Sequence, residues 1–239
     1  MVRAKVKIFR AVDDQDSCKK FLEGHVNVLK VFGVTQVTTA SNDWFFNPNV
    51  YVVLIESFEG EAWGGVRVHV AHEDYPLPME DATRKIDPKM RDFIGKLRLN
   101  GGTGELCGLW NAREVGGMGI GTLFLMRAGI SVVSSIIQIS TLVALCAQHT
   151  FQICLEKGFE VVHEVGNKGT FYYPKDDLVA TAVIIQDPKN LSKATELEKK
   201  LILELRQKPD QISVEDTPKG FLELNYQLTS KLWEERLTR

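Results

Sequence analysis

The sequence lacks the marks of several function classes. Lysine and arginine number 29 against 31 aspartates and glutamates in 239 residues, a formal net charge of −2. No basic stripe of the kind that binds nucleic acid is present, so no nucleic-acid partner is expected. The four cysteines, Cys18, Cys107, Cys146 and Cys154, show no CxxC spacing, and no histidine pair stands beside them at zinc-ligand intervals. They read as reduced thiols of a cytoplasmic protein, with no metal site. The first sixteen residues carry no apolar run of the secretory type. Internal repeats and low-complexity tracts are also missing. Charge itself is absent from Ala128 to Leu155, a stretch long enough to cross a bilayer. Gly129, Ser131, Ser134, Ser135, Gln138, Ser140 and Thr141 interrupt it, however. A buried helix followed by a buried strand accounts for the pattern, and no membrane span is expected.

What is present is the composition of a globular domain, 44% hydrophobic and 25% charged, with 12 Phe and 4 Trp to build a core. Lys5 to Val12 alternates as a strand does. Cys18, Phe21, Leu22, His25, Val26, Leu29 and Phe32 then recur at helical spacing, and Gly33 ends that helix. Val50–Glu56 and Ala62–Ala71 form an antiparallel hairpin about Glu59-Gly60. Pro76 and Pro78 predict an irregular stretch. Asp87-Pro88 opens a helix that runs to about Leu99. Strand-like Glu105–Asn111 leads to the glycine cluster at 116–121, then to a helix from Thr122 to about Ile136. Thr141–Ala147 reads as a strand, Gln148–Lys157 as a short helix, and Phe159–Val165 and Leu178–Ile185 as two more strands. Lys193–Gln207 is a charged amphipathic helix, and Phe221–Leu228 alternates like a strand. The order predicts an α/β domain (α+β mixed) over residues 1–188, with residues 189–239 as a helical and strand extension packed on it.

Gly116, Gly117, Met118, Gly119, Ile120 and Gly121 are the most informative residues. They follow a strand and open an apolar helix, where backbone N–H groups converge without Cβ obstruction and the helix start adds partial positive charge. Such a turn suits a phosphate. A dinucleotide fingerprint needs a third glycine at 122 or 124, which are Thr and Phe. A Walker loop needs a Lys-Ser/Thr pair after the last glycine, where Thr122-Leu123 stands. A glycine turn without any ligand remains as the plain structural alternative.

Gly119-Ile120-Gly121 resembles the donor-binding turn of the GNAT superfamily of N-acyltransferases, written Q/R-x-x-G-x-G/A. The downstream order is similar too, with Thr141–Ala147, a short helix, and then Lys157-Gly158-Phe159 before the next strand. The likeness covers about Glu105 to Val165 well and the flanking strands loosely. It implies a central mixed sheet of about seven strands flanked by helices. It also implies an acyl thioester donor, acyl-CoA or acetyl-CoA, with the phosphopantetheine of an acyl carrier protein as a further candidate, and a small-molecule amine acceptor. In such enzymes the strand before the turn, here Leu109-Trp110-Asn111, pairs with the pantetheine arm, and the N–H groups of Gly116 to Gly121 receive the pyrophosphate. A deprotonated amine attacks the thioester directly, aided by a base and by a donor to the leaving thiolate.

Two positions depart from the superfamily pattern. Gly116 stands where Gln or Arg is usual, with Arg113 as a substitute. Cys154 falls where a tyrosine often protonates the thiolate; it reads better as core filler, and Tyr172 or Tyr173 can serve instead. A fainter likeness, carried by Gly64-Gly65-Val66-Arg67-Val68 and Pro76-Leu77-Pro78-Met79, points to autoinducer synthases and N-acyl amino acid synthases. It implies a site-shaping role for Arg67. Arg67 on an apolar strand suits a carboxylate-bearing acceptor such as an amino acid; an exposed strand face explains it equally. Glu114, His69, His163 and Glu164 are candidate bases, and His69 shares a strand face with Arg67. The rival reading is a GNAT-fold module that binds a thioester or another small ligand for regulation without turning it over.

Overall fold

A computed structural model describes residues 2–31, 33 and 41–229. Phe32, placed on the first helix by its spacing, lies outside the described residues. The elements run β1 (Val2–Arg10), α1 (Gln15–Val31), β2 (Val50–Ser57), β3 (Ala62–Val70), α2 (Pro78–Thr83), α3 (Lys89–Leu99) and β4 (Thr103–Asn111). A helix of 18 residues, Ile120–Ile137, follows; its centre is α4 (Met126–Val132) and both ends are wound as π-helix. Then come β5 (Thr141–Ala147), α5 (Phe151–Glu156), β6 (Glu160–Val161), β7 (Thr170–Tyr172), β8 (Val179–Ile185), α6 (Glu196–Gln207), β9 (Asp210–Thr217) and β10 (Gly220–Gln227).

All strands join one sheet in the order β6-β8-β5-β4-β3-β2-β1-β10-β9, with β7 also on β8. The sheet is mixed: β4 lies parallel to β5 and β1 parallel to β10, while the other pairs are antiparallel. This is the mixed sheet flanked by helices that the resemblance implied, but with ten strands among the described residues rather than about seven. The additional strands are local. β7 lies in what reads as a loop, and β9 is nearly featureless in sequence because its face pattern alternates exposed with half-buried rather than buried residues. The strand expected over Phe159–Val165 shrinks to two residues. The proline stretch holds α2, since Pro78 occupies the first helical turn, where a missing N–H does no harm, and Glu80 caps it by accepting the Leu77 N–H at 2.7 Å.

Alternation along β3 and β4 sends side chains to two faces. Val66, Val68 and Leu106 join the large core under α4, α5 and α6, which explains why the helix Ile120–Ile137 is apolar: two thirds of it is buried there. The other face carries α1 over Phe21, Trp44 and Trp110, and α2 and α3 over Met79, Met90 and Val143. The last two strands are tied in by β10, which lies beside β1 from Val2↔Leu222 to Lys7↔Gln227.

Candidate functional site

The parallel contact between β4 and β5 is short. It holds only Thr103↔Thr141, Gly104↔Leu142 and Glu105↔Val143, although both strands continue for several residues. Beyond Glu105 the strands part, leaving the β5-facing backbone edge of Leu106–Asn111 outside that ladder. A bulge helps them separate. The β3–β4 register jumps between Gly65↔Trp110 and Arg67↔Cys107, and Gly108 within the bulge has φ +60°. That left-handed conformation favours glycine.

The split leads directly to the glycine turn. Asn111 Oδ1 stands 2.9 Å from the place a Gly121 Cβ would take, so the end of β4 abuts the start of the helix. Gly119 has φ +70°. The N–H groups of Gly116 and Met118 turn inward, to Arg113 O (3.0 Å) and Val115 O (3.2 Å). Met118 and Ile120 point their side chains into the core. The N–H groups this turn could offer a ligand are therefore fewer than the sequence suggested, and they centre on the first turn of the helix, Ile120 to Thr122, whose N–H groups precede the intrahelical ladder. Lys219, from the β9–β10 turn, lays its chain over Gly117; its Cε is 3.3 Å from where a Cβ there would be. Sequence reading missed Lys219, because only the β1–β10 pairing brings it to this turn.

Behind the split, on the α1 face, four ionisable groups gather. Arg67 and His69 on β3 oppose Cys107 and Glu105 on β4 in direct register. Arg67 is fully buried, its Cζ 4.2 Å from the Trp44 ring centroid and 5.3 Å from that of Phe21. It also hydrogen-bonds the Cys107 side chain. The guanidinium occupies the space a side chain at Gly108 would need, 3.0 Å from its absent Cβ. Burial pulls Arg67 below its usual range, opposed by Cys107 and Glu105. Glu105 accepts the Met79 N–H at 2.7 Å, yet burial pushes its carboxyl up to about 8 despite that bond and Arg67. Burial, aided by Arg67, holds His69 well below its ordinary value, so its imidazole is neutral. Glu105 was read only as a strand residue. Its cue in the sequence is a lone acid in an apolar strand facing Arg67, which becomes meaningful once the register is known.

The remaining candidates are dispersed. Glu114 is exposed on a short 3-10 turn between β4 and the glycine turn. Trp110 turns its indole against Gly24 and Phe21, with the Phe21 ring centroid 5.9 Å away, and leaves only its backbone to the split. Tyr173 packs partly buried against the Met79–Val143 cluster, whereas Tyr172 is exposed. His163 and Glu164 line a separate groove of about 570 Å³ between α3 and β6. His149 is exposed. Cys154 is buried facing Cys146; their hydrogen bond and burial push its thiol up, as suits core filler better than a proton donor. No group of three or more metal-ligating side chains occurs among the described residues.

No family model and no curated protein matches the sequence. Solved structures do match in fold. An N-acyl amino acid synthase from uncultured soil microbes, FeeM, is 12% identical with a TM-score of 0.59, covering 83% of this chain and 99% of that one. The AHL synthase LasI is 16% identical with a TM-score of 0.55, over 80% and 93% of the two chains. A CoA-dependent acyl-homoserine lactone synthase, BjaI, solved with SAM and isopentyl-CoA, is 12% identical with a TM-score of 0.50, over 98% and 99%.

Proposed function

We propose that this protein is an N-acyltransferase that moves an acyl group from a thioester to the amine of a small acceptor, in the first instance an amino acid. The observation that carries the reading is the parting of β4 from β5 after Glu105, beside a glycine turn that opens a helix. A pantetheine arm needs an extended backbone edge to bond to, and Leu106–Asn111 offers one. The phosphates then reach the N–H groups of Ile120 to Thr122, with Lys219 adding positive charge. Acyl-CoA fills this site, acetyl-CoA being the smallest; the arm of an acyl carrier protein presents the same chemistry. Similarity in fold to FeeM, LasI and BjaI supports acyl transfer as the reaction class. A cytoplasmic location accompanies it.

Glu105 is the base in this scheme. A carboxyl that titrates near 8 is well matched to taking a proton from an ammonium group, and it lies where the thioester end of the arm would come. It is preferred to Glu114, which is exposed on the 3-10 turn before the glycines. Arg67 receives the acceptor's carboxylate or holds the Gly108 bulge in shape, and Trp44 orders it by stacking. Tyr173 is the remaining candidate donor to the departing thiolate.

A second reading, a module that binds a thioester without turnover, is favoured by Gly116 and Cys154, which occupy positions where side-chain contacts to donor and thiolate are usual. Calorimetry with acetyl-CoA, a long-chain acyl-CoA and an acyl carrier protein, combined with thiol release over a panel of amino acids, separates the two. Saturable binding with amine-dependent release supports the enzyme. Binding without release supports the module, and no binding to any donor removes both.

A further inference from the structure

At its β9 end the sheet is covered on one face only. Leu222, Leu224 and Tyr226 of β10 are buried in the large core on the α4 and α6 side. On the opposite face α1 packs over β2, β3 and β4. Ile212 and Val214 of β9 and Phe221 of β10 lie beyond it on that same face, 64%, 57% and 59% exposed among the described residues. The ladder runs from Val214 through Glu223 to Arg3, and from Ile212 through Asn225 to Lys5. Phe58, just past β2, adds a further exposed ring, with Arg3 and Lys5 over it at 4.6 and 4.8 Å. The open face of a half-covered sheet ordinarily carries polar side chains. A run of exposed apolar ones rimmed by charge marks a surface that meets another protein.

The distribution of charge on this face identifies the partner. On it β9 presents Asp210 and Asp216 and no cation, whereas β1 presents Arg3, Lys5 and Lys7 and no acid. We propose that the face binds the same face of a second copy of this chain, about a dyad running along β10. Such a dyad lays the acidic border of each copy over the basic border of the other and joins the apolar residues between them. Glu223, close to the dyad, is already neutralised by Arg3 at 2.7 Å. Joining two β9 edges through their backbones is the other way for a border strand to find a partner. It sets side by side two strands that each carry three acids and no cation, so charge disfavours it. The proposal stands apart from the acyl-transfer reading and holds or fails without it.

The test is sedimentation equilibrium of the full chain from about 1 to 100 μM, since a contact at the small end of the interface range holds in the micromolar. The average mass should climb toward that of a dimer. Val214→Lys and Phe221→Lys, each at an exposed position, should remain monomeric with unchanged melting temperatures. Asp216→Lys and Lys5→Glu should each weaken association several-fold, and the parent dimer should loosen at high salt. The geometry is read with Asn225→Cys, on the dyad strand, and a bismaleimide spanning about 10 Å, the separation of two packed sheets. This reagent should join two copies, the native cysteines all being buried. A chain that stays monomeric overturns the proposal, whether its face is then bare or covered by its own residues 230–239. A dimer that survives both Val214→Lys and Phe221→Lys, or one that is not joined through Asn225→Cys, overturns it equally.

Discussion

Two clusters of buried charge lie on opposite faces of the sheet and are built on different terms. Under α6, Glu198 receives Arg127 in a two-pronged bridge at 2.6 and 2.8 Å and Lys157 at 3.3 Å, and its own N–H is capped by Thr195. Its carboxyl is held below the usual range against burial by those hydrogen bonds and charges. On the α1 face, Glu105 has one backbone donor, stays above the usual range, and faces an imidazole with a bare nitrogen. The first cluster uses its bonding capacity to fasten α6 to the core. The second leaves capacity unspent beside an opening in the sheet, which is where a ligand is expected to complete it.

The sharpest way to break this contrast is to neutralise each acid in turn. Glu105→Gln should reduce acyl transfer about 100-fold or more, the range for a lost general base, with little loss of stability; thiol-release kinetics beside a denaturant titration check both. Glu198→Ala should do the opposite. Leaving Arg127 and Lys157 buried without their carboxylate costs about 3–5 kcal/mol, read as a lower denaturation midpoint, while donor affinity of the folded fraction persists.

The acid–base behaviour separates the clusters further. Glu105 binds its proton more tightly folded than unfolded, so its contribution to stability is complete below its ordinary value of 4.5 and is lost as pH rises through about 8. Glu198 runs the other way: its contribution is present above the ordinary carboxylate range and is lost as pH falls below it. A stability–pH curve of Glu105→Gln should therefore be flatter than the parent's between those two values. In the same range kcat/KM of the parent should climb as Glu105 ionises.

Smaller effects sharpen the site itself. Gly108→Ala should cost about 1–3 kcal/mol from a non-glycine residue held at positive φ, and it should also disturb acceptor KM by displacing Arg67. Lys219→Glu should weaken donor binding several-fold, less so at high salt, with the melting temperature unchanged; an unaltered donor affinity would detach the β9–β10 turn from the site.

How far the sequence reveals this arrangement depends on whether a feature is local. The β4–turn–helix unit is legible because glycine spacing and an apolar helix are properties of one short segment. α2 is missed because Pro78 was weighed as a breaker when its position in the first turn made it a starter. The Arg67–Glu105 pairing and the approach of Lys219 to Gly117 depend on a strand register and on a strand pair separated by most of the chain. Neither leaves a periodic trace, so Glu105 looks like any acid in a strand and Lys219 like any turn lysine.

The parallel alignment of β1 with β10 imposes an order of events during synthesis. The edge of β1 that will face β10 is synthesised long before its partner, Gly220–Gln227. Until then β1 has only β2 to pair with, and the nascent sheet carries an open border, the kind of surface that chaperones shield and that neighbouring chains can capture. Contacts of such wide sequence separation also slow the final folding step.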